Sequence, residues 1–259
     1  MESETIHYNI QEGIVTITLK RPDALNALNQ EMRDSLEKAL SKAAFDQKAR
    51  VVILTGEGKA FCAGADLKRF KDDYEHYKRT GEPSCFYDIS LPKVLCFFPK
   101  PILAAINGPA VGVGMTMTLA CDIRLASESA SFSCPFTRIG LTPEFGSSYF
   151  LPRLVGYSKA AEWILTSKMI TAPEALSTGL ISEMTSPDTN VLDESWKMAL
   201  SIAAMPEKAI HLSKKLLRQA MDCDLSKTLE EESIAFQDCQ KDHGHYLALT
   251  DLLERVRGR

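Results

Sequence analysis

A chain of 259 residues is long enough to bury a sizeable core, as one domain with an appendage or as two small domains, without disulfide or metal staples. Hydrophobic residues make up 45% and charged residues 25%, the usage of an ordinary globular protein, which excludes disordered, collagen-like and coiled-coil chains. A formal net charge of -4 provides no basic field for a phosphate backbone or an anionic lipid surface, so nucleic acid is not an expected partner.

The chain opens on β signals. Residues 6–10 and 15–19 flank a turn at Glu12-Gly13, and the clean alternation of the second run predicts a hairpin with one wet face. Asn29 then reads as the N-cap of a first helix, in which Met32, Leu36, Ala39, Leu40 and Ala43 recur at helical spacing. Residues 51–55 and 102–106 are short continuous apolar runs closely followed by glycine, as expected of strands covered on both faces. Between them, residues 66–90 combine Lys68, Arg69, Lys71, Asp72, Asp73 and Glu75 with Gly81 and Pro83, which predicts a mobile surface insertion with some helix. Strand signals thin out after Tyr157, with residues 180–184 the last. Residues 192–257 read as three or four amphipathic helices broken at Pro206, around Cys223-Asp224 and at Gly244. The resulting plan is an α/β core over residues 1–192 and a helical region over 193–259.

Seven cysteines with no C-x-x-C pair form neither a disulfide framework nor a zinc cluster, and read as buried thiols of a reducing compartment. No stretch approaches the roughly 18 apolar residues of a membrane span, so no membrane insertion is expected. The start Met1-Glu2-Ser3-Glu4 is acidic where a signal or transit peptide is basic, and Arg257-Gly258-Arg259 is not a peroxisomal address. A cytoplasmic protein is the expectation, with an organellar matrix the alternative where a leader has been removed.

Several motifs are nearly present and fail. Gly56-Glu57-Gly58 is followed by Phe61, and Gly112-Val113-Gly114 by Met117, where a dinucleotide fingerprint needs its third glycine; no phosphate-binding G-x-x-x-x-G-K-[ST] loop occurs. Gly146-Ser147-Ser148-Tyr149-Phe150 lacks the closing glycine of a nucleophile elbow. His243 and His245 lack a third ligand in a defined geometry, so no metal site is expected. What remains is a pair of small-residue turns, Phe61-Cys62-Ala63-Gly64-Ala65-Asp66-Leu67 and Asn107-Gly108-Pro109-Ala110-Val111-Gly112-Val113-Gly114. Each can present free amide N–H groups at a helix start. Two such amides aimed at one point bind an oxyanion, whereas either turn alone equally serves to let a helix pack close to a strand.

Four segments in succession resemble the signatures of the crotonase (enoyl-CoA hydratase/isomerase) superfamily: Arg21-Pro22-Asp23-Ala24-Leu25-Asn26-Ala27-Leu28, Ala60 through Leu67, Lys100-Pro101 through Asn107-Gly108-Pro109-Ala110, and Ala120-Cys121-Asp122-Ile123-Arg124. The resemblance implies an α/β fold, a crotonase-like spiral of ββα units with a C-terminal helical trimerisation region, and hence a homotrimer or hexamer. It implies acyl-CoA substrates and no cofactor beyond the coenzyme A that the substrate carries. By position, the oxyanion hole for the thioester would be the N–H groups of Ala65 and Val113. Ala24 and Leu25 would lie along the CoA moiety, and Ala63, Gly64, Asp66 and Leu67 would complete the substrate-binding turn, although Asp66 equally reads as a helix-start acid.

The departures from the family pattern are informative. Hydratases of this superfamily carry two catalytic glutamates, and the matching positions here hold Thr116 and Phe136, which cannot activate water or deliver a proton as a carboxylate pair does. One carboxylate stands out instead, Glu144 in Gly140-Leu141-Thr142-Pro143-Glu144-Phe145-Gly146-Ser147-Ser148. This segment resembles that of the 3-enoyl-CoA to 2-enoyl-CoA isomerases, whose single glutamate follows that proline. Pro followed by Glu is also an ordinary helix start; with the family context the catalytic reading is preferred, in a pocket lined by Phe136, Phe145 and Tyr149. The expected function is therefore a shift of the double bond of enoyl-CoA from the 3- to the 2-position. The alternatives are a ring-enoyl-CoA isomerase of aromatic degradation, an enoyl-CoA hydratase, or a non-catalytic acyl-CoA binding module. Cys62 reads as a small apolar filler and Asp122 as structural, while Lys214 and Lys215 would meet CoA phosphates or form a solvated face.

Overall fold

The computed structural model of the protein describes residues 4–82 and 88–257. Strands β1 (Ile6–Gln11) and β2 (Ile14–Leu19) pair antiparallel across a two-residue turn, Glu12-Gly13, in which both residues have positive φ. Such a turn carries the twist that joins two strands tightly. β1 alternates as expected, but β2 is buried on both faces apart from the half-buried Thr18. The reason is that β2 is not an edge: it runs parallel to β3 (Val51–Gly56), so the wet face is confined to β1.

Helix α1 (Gln30–Phe45) starts where Asn29 Oδ1 accepts the Met32 N–H at 2.9 Å, and all five apolar positions of its stripe are fully buried. After β3 come α2 (Leu67–Thr80) and α3 (Ser90–Cys96), followed by β4 (Ile102–Ile106), β5 (Ala110–Val111), α4 (Val113–Leu119), β6 (Ile123–Ser127) and β7 (Ser131–Ser133). Then follow α5 (Ser147–Val155), α6 (Tyr157–Thr166), β8 (Ile170–Thr171), α7 (Ala172–Ser177), β9 (Glu183–Thr185) and the helices α8 (Val191–Ala203), α9 (Glu207–Gln219), α10 (Leu225–Gln240) and α11 (His243–Arg257). Of the insertion over 66–90, α2 supplies the helix; the mobility expected there falls partly on residues 83–87, which lie outside the described residues.

The large sheet has the order β1-β2-β3-β4-β6-β9 and is parallel from β2 onward, while β5, β7 and β8 form a second, smaller sheet. The apolar runs of β3 and β4 explain why it takes two layers to cover it. Val52, Leu54, Ile102 and Ala104 face the core shared with α1, whereas Val51, Ile53, Leu103 and Ala105 face Val191 and Ala199 of α8. Each fully buried aliphatic side chain contributes about 1.5–3 kcal/mol, so neither layer is dispensable. Helix α8 thus belongs physically to the sheet, and the 192/193 boundary falls in its first turn.

Two boundaries differ from the sequence reading. The last strand begins at Glu183, because Leu180 and Ile181 are buried in the turn after α7, their N–H groups donating to the Ala175 carbonyl. Gly244 lies in the first turn of α11, and the chain breaks instead at Lys241-Asp242, where Asp242 Oδ1 accepts the Gly244 N–H at 2.9 Å. The short strand β8 carries no pattern that a two-residue element could show. Among the described residues no helix is long and apolar enough to cross a membrane.

Candidate active site

The two small-residue turns lie side by side. Cys62 bridges Ala110 in parallel register, its N–H donating to the Pro109 carbonyl at 3.1 Å and its carbonyl accepting from Val111 N at 2.9 Å. The first turn is thereby stitched to the end of the small sheet. The approach is so close that a Cβ on Gly114 would stand 2.1 Å from the Cys62 carbonyl oxygen, and one on Gly64 (φ +113) 3.2 Å from the Val111 carbonyl oxygen. Glycine is required there by contact at one position and by contact and backbone angle at the other.

This stitching orients the amides. Leu28 N donates to the Gly64 carbonyl at 2.8 Å and Asp66 N donates to the Leu28 carbonyl at 3.1 Å. A parallel bridge of this kind turns the N–H of the intervening Ala65 away from Leu28, and that N–H has no hydrogen-bond partner among the described residues. Across the turn, Gly112 N donates to the Ser133 carbonyl, and the Gly112 carbonyl accepts from Met115 N and Thr116 N. Val113 N opens α4 without a partner among the described residues, as the first residue of a helix must.

The Ala24-Leu25 loop is held against the same turn: the Leu25 carbonyl accepts the Ala63 N–H at 2.9 Å, and Leu25 is exposed in a left-handed conformation. Its foundation is Asn26, fully buried, whose Nδ2 donates to the carbonyls of Glu57 and Ala60 and whose Oδ1 accepts the Arg21 N–H. Sequence reading quoted Asn26 only as part of a motif. The available signal was its type, since asparagine tolerates positive φ (+56 here). Arg21 also pairs with Asp66 at 3.6 Å, so Asp66 ties the Ala24-Leu25 loop to the start of α2. Leu67 is the first residue of α2.

Glu144 is half-buried, in a turn and not on a helix. Phe145 and Gly146 both have positive φ, and α5 begins only at Ser147, whose N–H and hydroxyl both reach back to the Glu144 carbonyl. The ordinary helix-start reading of Pro143-Glu144 is therefore not met. Holding Phe145 left-handed costs on the order of 1–2 kcal/mol, and the turn aims the carboxylate inward. There Thr116, fully buried on α4, donates to Glu144 Oε1 at 2.9 Å. Thr116 is one helical turn from Val113, about 4.5 Å along the axis, so the carboxylate and the Val113 amide share one face of α4. Sequence reading treated Thr116 only as a missing carboxylate; its hydroxyl is the residue it overlooked.

The surrounding groups are mostly silent. Burial pushes the Cys62 thiol up to about 11 and the Cys134 thiol up to about 12, and the Glu144 charge adds to both shifts. Cys62 is the buried filler expected. Phe136 and Phe145 are buried in the main core, with Tyr149 packed against it; the Tyr149 hydroxyl donates to Asp222 at 2.7 Å, and the Arg153 guanidinium stacks on its ring. Asp122 is structural, accepting from Ile102 N and pairing with Lys214 at 2.7 Å and Arg218 at 3.0 Å. Lys214 is accordingly spent inside the fold, while Lys215 is exposed. Among the described residues no group of three His, Cys, Asp or Glu side chains could hold a metal ion.

A mostly parallel sheet assembled strand by strand, a small second sheet carrying two glycine turns, and a run of C-terminal helices together define a crotonase fold. The chain belongs to the enoyl-CoA hydratase/isomerase family, whose sequence pattern matches residues 9–257, and it is an enzyme of that family. It is 33% identical over 256 residues to the short-chain-enoyl-CoA hydratase of Clostridium acetobutylicum, covering 98% of this chain and 97% of that one. It is 34% identical over 226 residues to human enoyl-CoA delta isomerase 2, covering 83% of this chain and 55% of that one. The crystal structure of an enoyl-CoA hydratase from Bacillus anthracis superposes with a TM-score of 0.88 at 32% identity, over 97% of this chain and 96% of that one. Hydratase and isomerase relatives match at 33% and 34% identity, which does not separate the two activities.

Proposed function

We propose that the protein shifts the double bond of enoyl-CoA from the 3- to the 2-position, with Glu144 as the single acid–base group and the N–H groups of Ala65 and Val113 as the oxyanion hole. The observation that carries this reading is the pairing of Glu144 with Thr116: the position where the family's hydratases carry a glutamate holds a hydroxyl that donates to the Glu144 carboxylate. The thioester carbonyl accepts both amides, the C2–H bond breaks as its proton passes to Glu144, and the electron pair delocalises as a dienolate whose negative oxygen sits between the amides. Glu144 then returns the proton to C4, the C2–C3 double bond forms, and the carboxylate is regenerated. Each amide of such a hole is worth about 100- to 1000-fold in rate. The Ala24-Leu25 loop lies along the CoA, beside the thioester turn to which it is hydrogen-bonded.

The exposed apolar side chains of α9 to α11, among them Leu217, Leu229, Phe236 and Leu252, support assembly of the protein as a homotrimer or hexamer.

Purified protein with trans-3-hexenoyl-CoA, against crotonyl-CoA in water, tests the reading through absorbance of the conjugated enoyl thioester. Rapid appearance of the 2-enoyl product with negligible hydration is expected. Glu144→Gln should lower the isomerisation rate by about 100-fold or more; persistence within a few-fold, or efficient hydration by the unaltered protein, overturns it.

A further inference from the structure

We propose that Thr116 is a positioning residue for the proton shuttle: its buried hydroxyl holds the Glu144 carboxylate in one orientation beside the Val113 amide. The inference rests on the reading of Glu144 as the base. Glu144 projects from a turn with two consecutive left-handed residues, so its own backbone element has no repeating ladder to fix the side chain. Thr116 stands on the opposite kind of support. All seven residues of α4 are buried, and the Thr116 hydroxyl reaches Glu144 Oε1 at 2.9 Å, against 3.5 Å to the Val113 carbonyl within its own helix. The shorter partner is the carboxylate. A β-branched side chain in a helix has few rotamers, which makes the post rigid.

A hydroxyl also suits both states of a shuttle. It donates to the carboxylate, and once Glu144 has taken the C2 proton it can accept from the new carboxyl O–H while donating to the Val113 carbonyl. Valine has the same shape and does neither. A glutamate at this position would instead set a second negative charge against the first. The titratable neighbours that sense the Glu144 charge, Cys62 on the first turn and Cys134 after β7, are held as neutral thiols by burial.

The test compares Thr116→Val, Thr116→Ser and Thr116→Ala with the unaltered protein by two readouts. One is turnover of trans-3-hexenoyl-CoA; the other is the NMR titration of the Glu144 side-chain carboxyl in carbon-13-glutamate-labelled protein, assigned with Glu144→Gln. In Thr116→Val, kcat should fall about 10- to 100-fold with KM within about threefold, and Thr116→Ser should recover to within about threefold of the original rate. The carboxyl titration should move to higher pH in Thr116→Val and return in Thr116→Ser. Unchanged kcat and titration in Thr116→Val, or a Thr116→Ser variant as impaired as Thr116→Val, overturns the proposal. If the unaltered protein does not isomerise, the proposed function fails by itself and the titration alone decides the role of Thr116. If Thr116→Val does not fold, Thr116→Ala against Thr116→Ser carries the comparison.

Discussion

Replacing Gly114 by alanine places a Cβ 2.1 Å from the Cys62 carbonyl oxygen and 2.9 Å from the Cys62 carbonyl carbon and Cβ. None of these is the far end of a flexible side chain, so the two backbones must part by about 1 Å to reach tolerable contact. The displacement falls on the residue next to Val113 and on the turn leading to Ala65, the two amides proposed to share one oxygen. A misplacement of that size costs about 100-fold in rate. Overpacking of this kind costs about 1–3 kcal/mol, and for a chain of this size each kcal/mol lowers the melting temperature by about 2–4 °C. The expected result for Gly114→Ala is therefore a loss of about 100-fold in kcat/KM on trans-3-hexenoyl-CoA, with melting lowered by about 2–12 °C in calorimetry. A variant with kcat/KM within twofold and unchanged melting would refute the claim that this contact sets the spacing of the amides.

Asn26→Asp replaces a buried amide that donates to two carbonyls with an acceptor facing them; a loss of about 3 kcal/mol or more in urea unfolding is expected. Asp122→Ala strands the amine of Lys214, which is nearly buried, and chemical unfolding should register a loss of about 3–5 kcal/mol. Burial raises the Cys62 thiol to about 11 and the Cys121 and Cys134 thiols to about 12, from an ordinary value of 9.0. The unfolded chain therefore ionises first. The stability these thiols contribute is complete below pH 9 and is lost as pH rises toward 12, at about 1.4 kcal/mol per pH unit for each thiol, which unfolding at a series of alkaline pH values will show. At pH 8 iodoacetamide should label exposed Cys223 and spare these three in peptide mass spectra. Sedimentation should give a trimer or hexamer mass, reduced in Leu229→Glu/Phe236→Glu, which charges the exposed apolar face of α10.

Much of the fold was legible because it is written in periods: the stripe of α1, its Asn29 cap and the apolar runs of β3 and β4 each obey one geometric rule. The wet face of β2 was misjudged because alternation reports side-chain chemistry and not how many neighbours a strand has. Strands β5 and β8, two residues each, are too short to carry a period at all. Of the candidate site, the two glycine turns and Glu144 could be named from residue type and order. The Thr116 contact spans 28 positions and depends on how α4 meets the turn before α5, which no local pattern encodes. The bond from the Tyr149 hydroxyl to Asp222, at the junction of α9 and α10, spans 73 positions and is equally beyond any local pattern.

The order of the large sheet has a consequence for variation. From β2 onward each strand pairs only with the one laid down before it and the one laid down after, so the stretch from residue 57 to 101 joins two neighbours in the ladder. Residues can be added to or removed from α2 and the segment behind it without shifting the register of β3 against β4. Glu144 and Thr116 both lie beyond that stretch. The segment from α2 to α3 and the Glu144–Thr116 contact are thus separable modules, and a change of length in the first need not disturb the second.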